Sequence, residues 1–303
     1  MTKLISLLAI LLFLSCSHNP TTAEDKSDKS EPDYIVAAPV KKKVLLLKFL
    51  NQTSYSGEDL SEHTHIEVEK MIEEVQDCIL VHENEIDEHE GFTTDDFHYN
   101  YSQIFEKARQ LGISAVVGGV IDDMDVAESN DDSGLFRLSR YKTRASVRLE
   151  IFDPSSGRQM FSQSSHGYYD GETARFFLSR GPASFDSSVG KEAVNNALAK
   201  LESRFIQQVR KLNWVGKIAK VDIERFYVTG GEETGLSRGQ LLKVFGPSFL
   251  VEDDKAGVHL GVAPGRFKGI IRIIDFVGKD GAVALIHSGA GFHEQDRVEV
   301  FTP

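Results

Sequence analysis

Tyr141-Lys142-Thr143-Arg144-Ala145-Ser146-Val147-Arg148-Leu149-Glu150-Ile151 places Tyr, Thr, Ala, Val, Leu and Ile at odd positions and polar side chains at even ones. Successive side chains of a strand point to opposite faces, so this period of two predicts a long strand with one face in a core and one in water. Asp153-Pro154-Ser155-Ser156-Gly157 then reads as a turn, and Arg158 to Ser162 begins the returning strand of a hairpin. Upstream, Lys43 to Asn51 (KVLLLKFLN), Cys78 to Val81 and Ile113 to Ile121 (ISAVVGGVI) are unbroken apolar runs, the pattern of strands covered on both faces.

Helical spacing separates these runs. Gly57-Glu58-Asp59 opens a helix with Asp59 or Ser61 as cap and Leu60, Met71, Ile72 and Val75 on its apolar side. Ser102 to Gln110 forms a second helix, closed at Leu111-Gly112, where glycine suits a left-handed cap. From Ser188 to Leu212, apolar residues recur at 189, 194, 197, 198, 201, 205, 206, 209 and 212, which describes a long helix packed on a sheet. After Trp214 the grain changes to short strands and glycine turns. Val215 to Val221, Arg225 to Val228, Gln240 to Phe245, Gly269 to Phe276, Gly281 to Ile286 and Asp296 to Phe301 read as strands, with the Gly230–Gly239 stretch as turn. The expected class is α+β: an α/β sandwich (mixed sheet with packed helices) over residues 42–212, followed by a small all-β barrel-like domain over 213–303.

The amino terminus carries a different message. Lys3, the apolar stretch Leu4 to Ser15 (LISLLAILLFLS) and Cys16 have the layout of a secretory signal, too short for the ~20 apolar residues of a transmembrane helix. Leu14-Ser15-Cys16 resembles the lipobox of bacterial lipoproteins, with Phe13 where that family usually has leucine. The resemblance implies a signal peptide at 1–15, diacylation of the Cys16 thiol and acylation of its new amino group. Two or three acyl chains on one residue make attachment close to permanent. Residues 17–41 are rich in Ser, Thr, Pro and charge, so 16–41 is expected to be a lipidated flexible tether reaching roughly 25 Å at ~5–6 Å × √n. In the family that the lipobox resembles, a residue other than Asp after the cysteine implies export to the outer membrane, so with Ser17 the resemblance implies an outer-membrane lipoprotein facing the periplasm.

Composition narrows the function. A net charge of −12, most of it before residue 215, argues against a nucleic-acid partner, since no basic stripe offers to displace phosphate counterions. With Cys16 committed to lipid, Cys78 is the remaining thiol and has no disulfide partner within the chain; its apolar neighbours predict a packing role. His63-Thr64-His65 with Glu67 and Glu69 is read as a hydrated helix face, because residues two apart on a helix diverge. The acidic stretch His82 to Glu90 matches neither zinc nor calcium spacing. Gly118-Gly119 lies in a strand with no following lysine, so it is no phosphate loop and is expected to admit a packing helix. No catalytic residue, metal or cofactor is assigned, and the chain is expected not to be an enzyme.

Two loops remain. Glu128 to Gly134 is acidic, and Asp170 to Phe185 carries Arg175, Phe176, Phe177, Arg180 and Phe185, which are candidate interface residues or else caps on the domain's own core.

Val44 to Asn51, Ala108 to Gly119 and Leu149 to Gly157 together resemble the family of the curli secretion lipoprotein CsgG, the penicillin-binding-protein activator LpoB and the middle domain of the flagellar protein FlgT. Gly216 to Val221, Tyr227-Val228 and Gly235 to Val244 are similar to the FlgT carboxy-terminal domain, whose relatives usually carry an ordinary signal peptide. The resemblance implies a structural or assembly component of an envelope complex, with a flagellar basal-body ring as the leading reading and possible homo-oligomerisation. An LpoB-like activator of a peptidoglycan synthase is the alternative. A CsgG-like pore is disfavoured by the charges between Met124 and Arg140.

Overall fold

Residues 39–55, 58–94, 96, 98–133, 136–176, 187–253 and 258–302 are described by the computed structural model. Residues 37–303 form one compact unit. Its first part is a mixed sheet built from β1 (Lys42–Leu46), β2 (Leu50–Asn51), β3 (Cys78–His82), β4 (Ala115–Ser133), β5 (Phe136–Asp153) and β6 (Arg158–Phe176). The order is β3-β1-β4-β5-β6, with β2 paired to β4 beyond the end of β1. β1 runs parallel to β3 and β4, whereas β4, β5 and β6 are antiparallel.

Helices cover both faces at the centre of this sheet. Helix α1 (Glu58–Glu73) and helix α3 (Ser187–Arg210) bury Val44, Leu46, Val117, Val147 and Leu149 on one side. Helix α2 (Tyr101–Leu111) packs with Leu45, Leu47, Val116 and Val120 on the other. The expected alternation of Ala145, Val147, Leu149 and Ile151 is present, all four fully buried. Asn100 caps α2 by accepting from the Gln103 N–H, and Gly112 closes it with φ 68° and ψ 35°.

The structure departs from expectation in ways that have physical causes. Lys43 to Asn51 is not one strand but breaks at residues 47–49. The break changes which face each side chain takes: Val44 and Leu46 face α1 and α3, and after exposed Lys48 it is Phe49 that does so. Gly118 and Gly119 admit aromatic rings rather than a helix. A Cβ at Gly119 would lie 2.1 Å from the Phe49 ring, and one at Gly118 3.1 Å from that of Tyr99. Tyr99 Oη lies 2.8 Å from the carbonyl oxygens of Lys48 and Gly119 and accepts from the Gly119 N–H at 3.1 Å, stapling the break to β4. Close helix approach occurs instead at Gly167, where a Cβ would stand 1.9 Å from the Ala193 carbonyl oxygen of α3. Asp59 and Ser61 lie inside α1 rather than capping it, and Ser61 is buried.

Both expected loops are partly strand. Glu128 to Ser133 pairs with Phe136 to Tyr141, and Asp170 to Phe176 pairs with Phe136 to Lys142. Gly134 and residues 177–186 lie outside the described residues.

The second part is a closed six-stranded barrel in the order β12-β13-β8-β7-β14-β9. Its strands are β7 (Val215–Asp222), β8 (Arg225–Thr229), β9 (Leu241–Phe245), β12 (Phe267–Val277), β13 (Gly281–Gly289) and β14 (Arg297–Val300). Trp214, Ile218, Phe226, Leu242, Ile271 and Val298 are among the side chains filling it. A hairpin of β10 (Phe249–Asp253) and β11 (Val258–Ala263) is additional to the strands read from the sequence. Buried Asp296 accepts from Lys268 Nζ at 2.7 Å through both oxygens and from the His293 N–H, which ties the loop before β14 to β12.

Of three successive lysines, the outer two join the two parts. The Lys41 N–H donates to the Thr234 carbonyl at 2.7 Å, and Lys43 pairs with Asp280 in the turn between β12 and β13. Between them Lys42, 1% exposed, donates from Nζ to Asp77 Oδ2 at 3.0 Å and to the carbonyls of Arg210 and Leu212 at 3.1 Å. The last two lie at the end of α3, where an ammonium also meets the negative end of the helix dipole. Replacing Lys42 with Met leaves Asp77 and two carbonyls without their donor, so urea unfolding should show a loss of roughly 2–4 kcal/mol. Tyr99→Phe should cost about 1–3 kcal/mol in the same assay, because the Gly119 N–H and a carbonyl lose their partner.

Candidate functional site

The lipidation candidate Cys16 and the interface candidates Phe177, Arg180 and Phe185 lie outside the described residues. Arg175 and Phe176 fall on β6, at the registers Arg137↔Arg175 and Phe136↔Phe176. Thus the first two candidates stand at the end of a three-stranded ribbon rather than on a loop.

That ribbon is long. β4, β5 and β6 have 19, 18 and 19 residues, close to 60 Å at ~3.4 Å per residue. α3 lies along its inner half. The Asn196 side chain donates to the Tyr168 carbonyl, Lys200 to that of His166, and Phe205 meets Phe161 edge-on. Val189, in the helix's first turn, stands 3.6 Å from where a Cβ of Gly171 would be. Residues 172–176 of β6, with their partners Phe136 to Arg140, run on past the start of that helix. Among the described residues, nothing pairs with the outer edge of β6.

A second locus assembles from the two histidine-containing stretches. His63 and His65 do diverge, as their spacing requires. His63 Nε2 is 2.8 Å from Asn195 Oδ1 on α3, whereas His65 Nδ1 is 3.1 Å from the Leu47 carbonyl oxygen. A carbonyl only accepts, so Nδ1 of His65 is the donor, and in the neutral tautomer that follows Nε2 carries the lone pair. Glu69, one turn further along α1, lies on the same face. His82, at the end of β3, brings its Nε2 to 3.5 Å from Glu69 Oε1 and its ring centroid to 5.9 Å from that of His65. One ligand atom from each of the three lies within 4.8 Å of the other two, and all three residues are half-buried. The two stretches carry no common motif in the sequence; what joins them is the turn from α1 to β3.

Other groups are structural. A cleft of about 970 Å³ separates α2 and the β5–β6 turn from the barrel, with Arg109, Ser155, Lys217 and Arg297 on its walls. Arg109 is bonded to the Pro154 carbonyl at 2.9 Å, and burial pulls the Lys217 ammonium below its ordinary range. On the outer face of the sheet Arg148 donates to Asp122 at 2.8 Å, and the Tyr101 hydroxyl donates to Glu150 at 2.9 Å. Burial, followed by the charge of Glu150, pushes the Tyr101 phenol well above its usual range. No helix among the described residues is long and apolar enough to cross a membrane.

No protein-family model matches the chain, and neither does any sequence among curated proteins. Similar solved structures include the hypothetical protein CT253 from Chlamydia trachomatis, at 16% identity and a TM-score of 0.32 over 56% of this chain and 98% of that one. The LpoB C-terminal domain from Escherichia coli is 14% identical, with a TM-score of 0.30 over 42% and 83%. Lipoprotein GNA1162 from Neisseria meningitidis is 13% identical, with a TM-score of 0.27 over 55% and 97%.

Cys78 packs beside the main core, and burial pushes its thiol from the ordinary 9.0 to about 11, against the opposing pull of Lys42. The raised value means the folded state keeps its proton where the unfolded chain gives it up. The associated stability is therefore full below pH 9 and is lost as pH climbs toward 11. Alkylation of native protein at pH 8 should accordingly leave Cys78 unmodified over a period that labels it fully in urea, with reactivity rising between pH 9 and 11.

Proposed function

We propose that this chain is a non-enzymatic, lipid-anchored protein of the bacterial envelope that works by binding other proteins. The observation that carries the reading is the ribbon of β4, β5 and β6, hydrogen-bonded to its tip and continuing past the start of α3. An isolated ribbon gains little from ordering its own backbone, and a long open edge is a template for pairing with another chain. The placement of Arg175 and Phe176 at that tip supports its use as a contact surface, since arginine and aromatic residues anchor interfaces. Cys16 and the polar stretch after it would hold this body at the outer membrane with freedom to reach partners.

Of the finer readings, a regulator that touches a peptidoglycan synthase in the manner of LpoB is placed ahead of a flagellar ring component. The lipobox supports that order, because the FlgT-like pattern is associated with an ordinary signal peptide. A second copy of the chain is an equally natural partner for the β6 edge.

The test uses the full-length lipoprotein, tagged at its carboxy terminus, with in-cell crosslinking and recovery of partners. A synthase or a second copy should be captured, with swimming unchanged on deletion of the gene. Replacing Asn130–Ser139 with Asn-Gly joins Ser129 to Arg140 through a tight turn and shortens the ribbon. That variant should fold and lose most of the recovery. Equal recovery by the shortened variant would remove the ribbon as contact surface. Defective basal bodies, with no synthase captured, would restore the flagellar reading.

A further inference from the structure

We propose that His65, Glu69 and His82 form a binding site for a zinc-class divalent metal ion, which clips helix α1 to the end of edge strand β3. Two imidazoles and one carboxylate are the ligand set of borderline ions such as Zn²⁺, Co²⁺ and Ni²⁺, and three protein ligands leave a position open to water or to a partner's side chain. The two ligands on α1 sit one helical turn apart on one face, and the third arrives from a different element, so the arrangement is tertiary rather than a run of surface charge.

Three geometric facts go beyond proximity. First, the Leu47 carbonyl receives the Nδ1 proton of His65, which restrains the ring and leaves Nε2 as the nitrogen available to a metal; metal-bound histidines almost always carry such an outer partner. Second, that carbonyl lies in the break at residues 47–49, so the irregularity of the first strand is what orients the ligand. Third, the ligand atoms are within 4.8 Å of one another, against roughly 3.4 Å between ligands at ~2.1 Å from a tetrahedral ion.

The neighbourhood suits a cation. Glu62 and Glu83 line the same groove, together with Lys48 and His89. Glu83 holds the Lys48 N–H at 2.8 Å, which commits one of its oxygens to the backbone. His89 Nδ1 donates to the Ile86 carbonyl at 2.9 Å and contributes to the groove wall. His63 is turned toward α3 and serves as an internal control.

The experiment is Zn²⁺ titration of the full-length protein in detergent, by calorimetry and by competition with a chromogenic chelator. One ion per chain is expected. His65→Ala and His82→Ala should each weaken binding by at least the roughly 10–100-fold that outer-shell partners alone contribute, and Glu69→Gln should weaken it as well. His63→Ala should bind as wild type. Zn²⁺ should also raise the thermal midpoint of the wild-type protein and not that of His82→Ala, because an ion bound only to the folded state stabilises it. Anomalous scattering at the zinc edge from crystals of the unmutated protein places the ion directly, which settles the matter even if a variant misfolds. No stoichiometric binding, an anomalous peak elsewhere, or equal weakening in His63→Ala would overturn the site.

Discussion

The ammonium of Lys42 is closed off from water and held by oxygens of Asp77, Arg210 and Leu212, which are 35, 168 and 170 residues away in the chain. A buried charge without partners costs several kcal/mol, so the fold is confined to arrangements in which the last turn of α3 and the loop before β3 both point at the first strand. That requirement sets where α3 ends, and hence where Trp214 enters the barrel core two residues after Leu212. The flanking lysines carry the same logic outward, Lys41 through its backbone to Thr234 and Lys43 through its side chain to Asp280. The junction between sheet and barrel is therefore polar and directional. Gly112 completes it, because only a residue without a Cβ fits against Thr229 while adopting positive φ.

A second constraint grows out of the break in the first strand. Phe49 needs the space over Gly119 and Tyr99 needs three polar partners, so the chain steps out of β1 at Leu47 and rejoins the sheet at Leu50. The step frees the Leu47 carbonyl from strand pairing, and His65 takes it. A packing requirement in the sheet thereby orients a polar side chain on α1, at the locus where Glu69 and His82 also converge. The ribbon is independent of this. Its inner half is held by α3, with Gly167 allowing backbone to approach backbone, and its outer half depends on strand pairing.

Much of this was legible along the chain. Period-two alternation found β5, apolar runs found β1, β3 and the start of β4, and three-and-four spacing found α3. The outer half of the ribbon was not legible, since Glu128 to Ser133 and Asp170 to Phe176 are polar and glycine-bearing and have the composition of loops. Strand pairing there is imposed by register propagating from the buried half, which leaves no local hydrophobic signature. The β10–β11 hairpin was also missed; it stands as a separate two-stranded sheet outside the barrel's strand order.

The sequence by itself determined the α+β class, the order of sheet and barrel and the divergence of His63 from His65. Those follow from periodicity, spacing and short linear patterns, all of which act over a few residues. Tertiary structure alone decided that Lys42 is buried, that glycines 118 and 119 accept rings, and that His82 reaches the His65–Glu69 face of α1. Each of these is a meeting of residues from different elements, fixed by which carbonyls, rings and ligand atoms share one volume, and no local pattern encodes that.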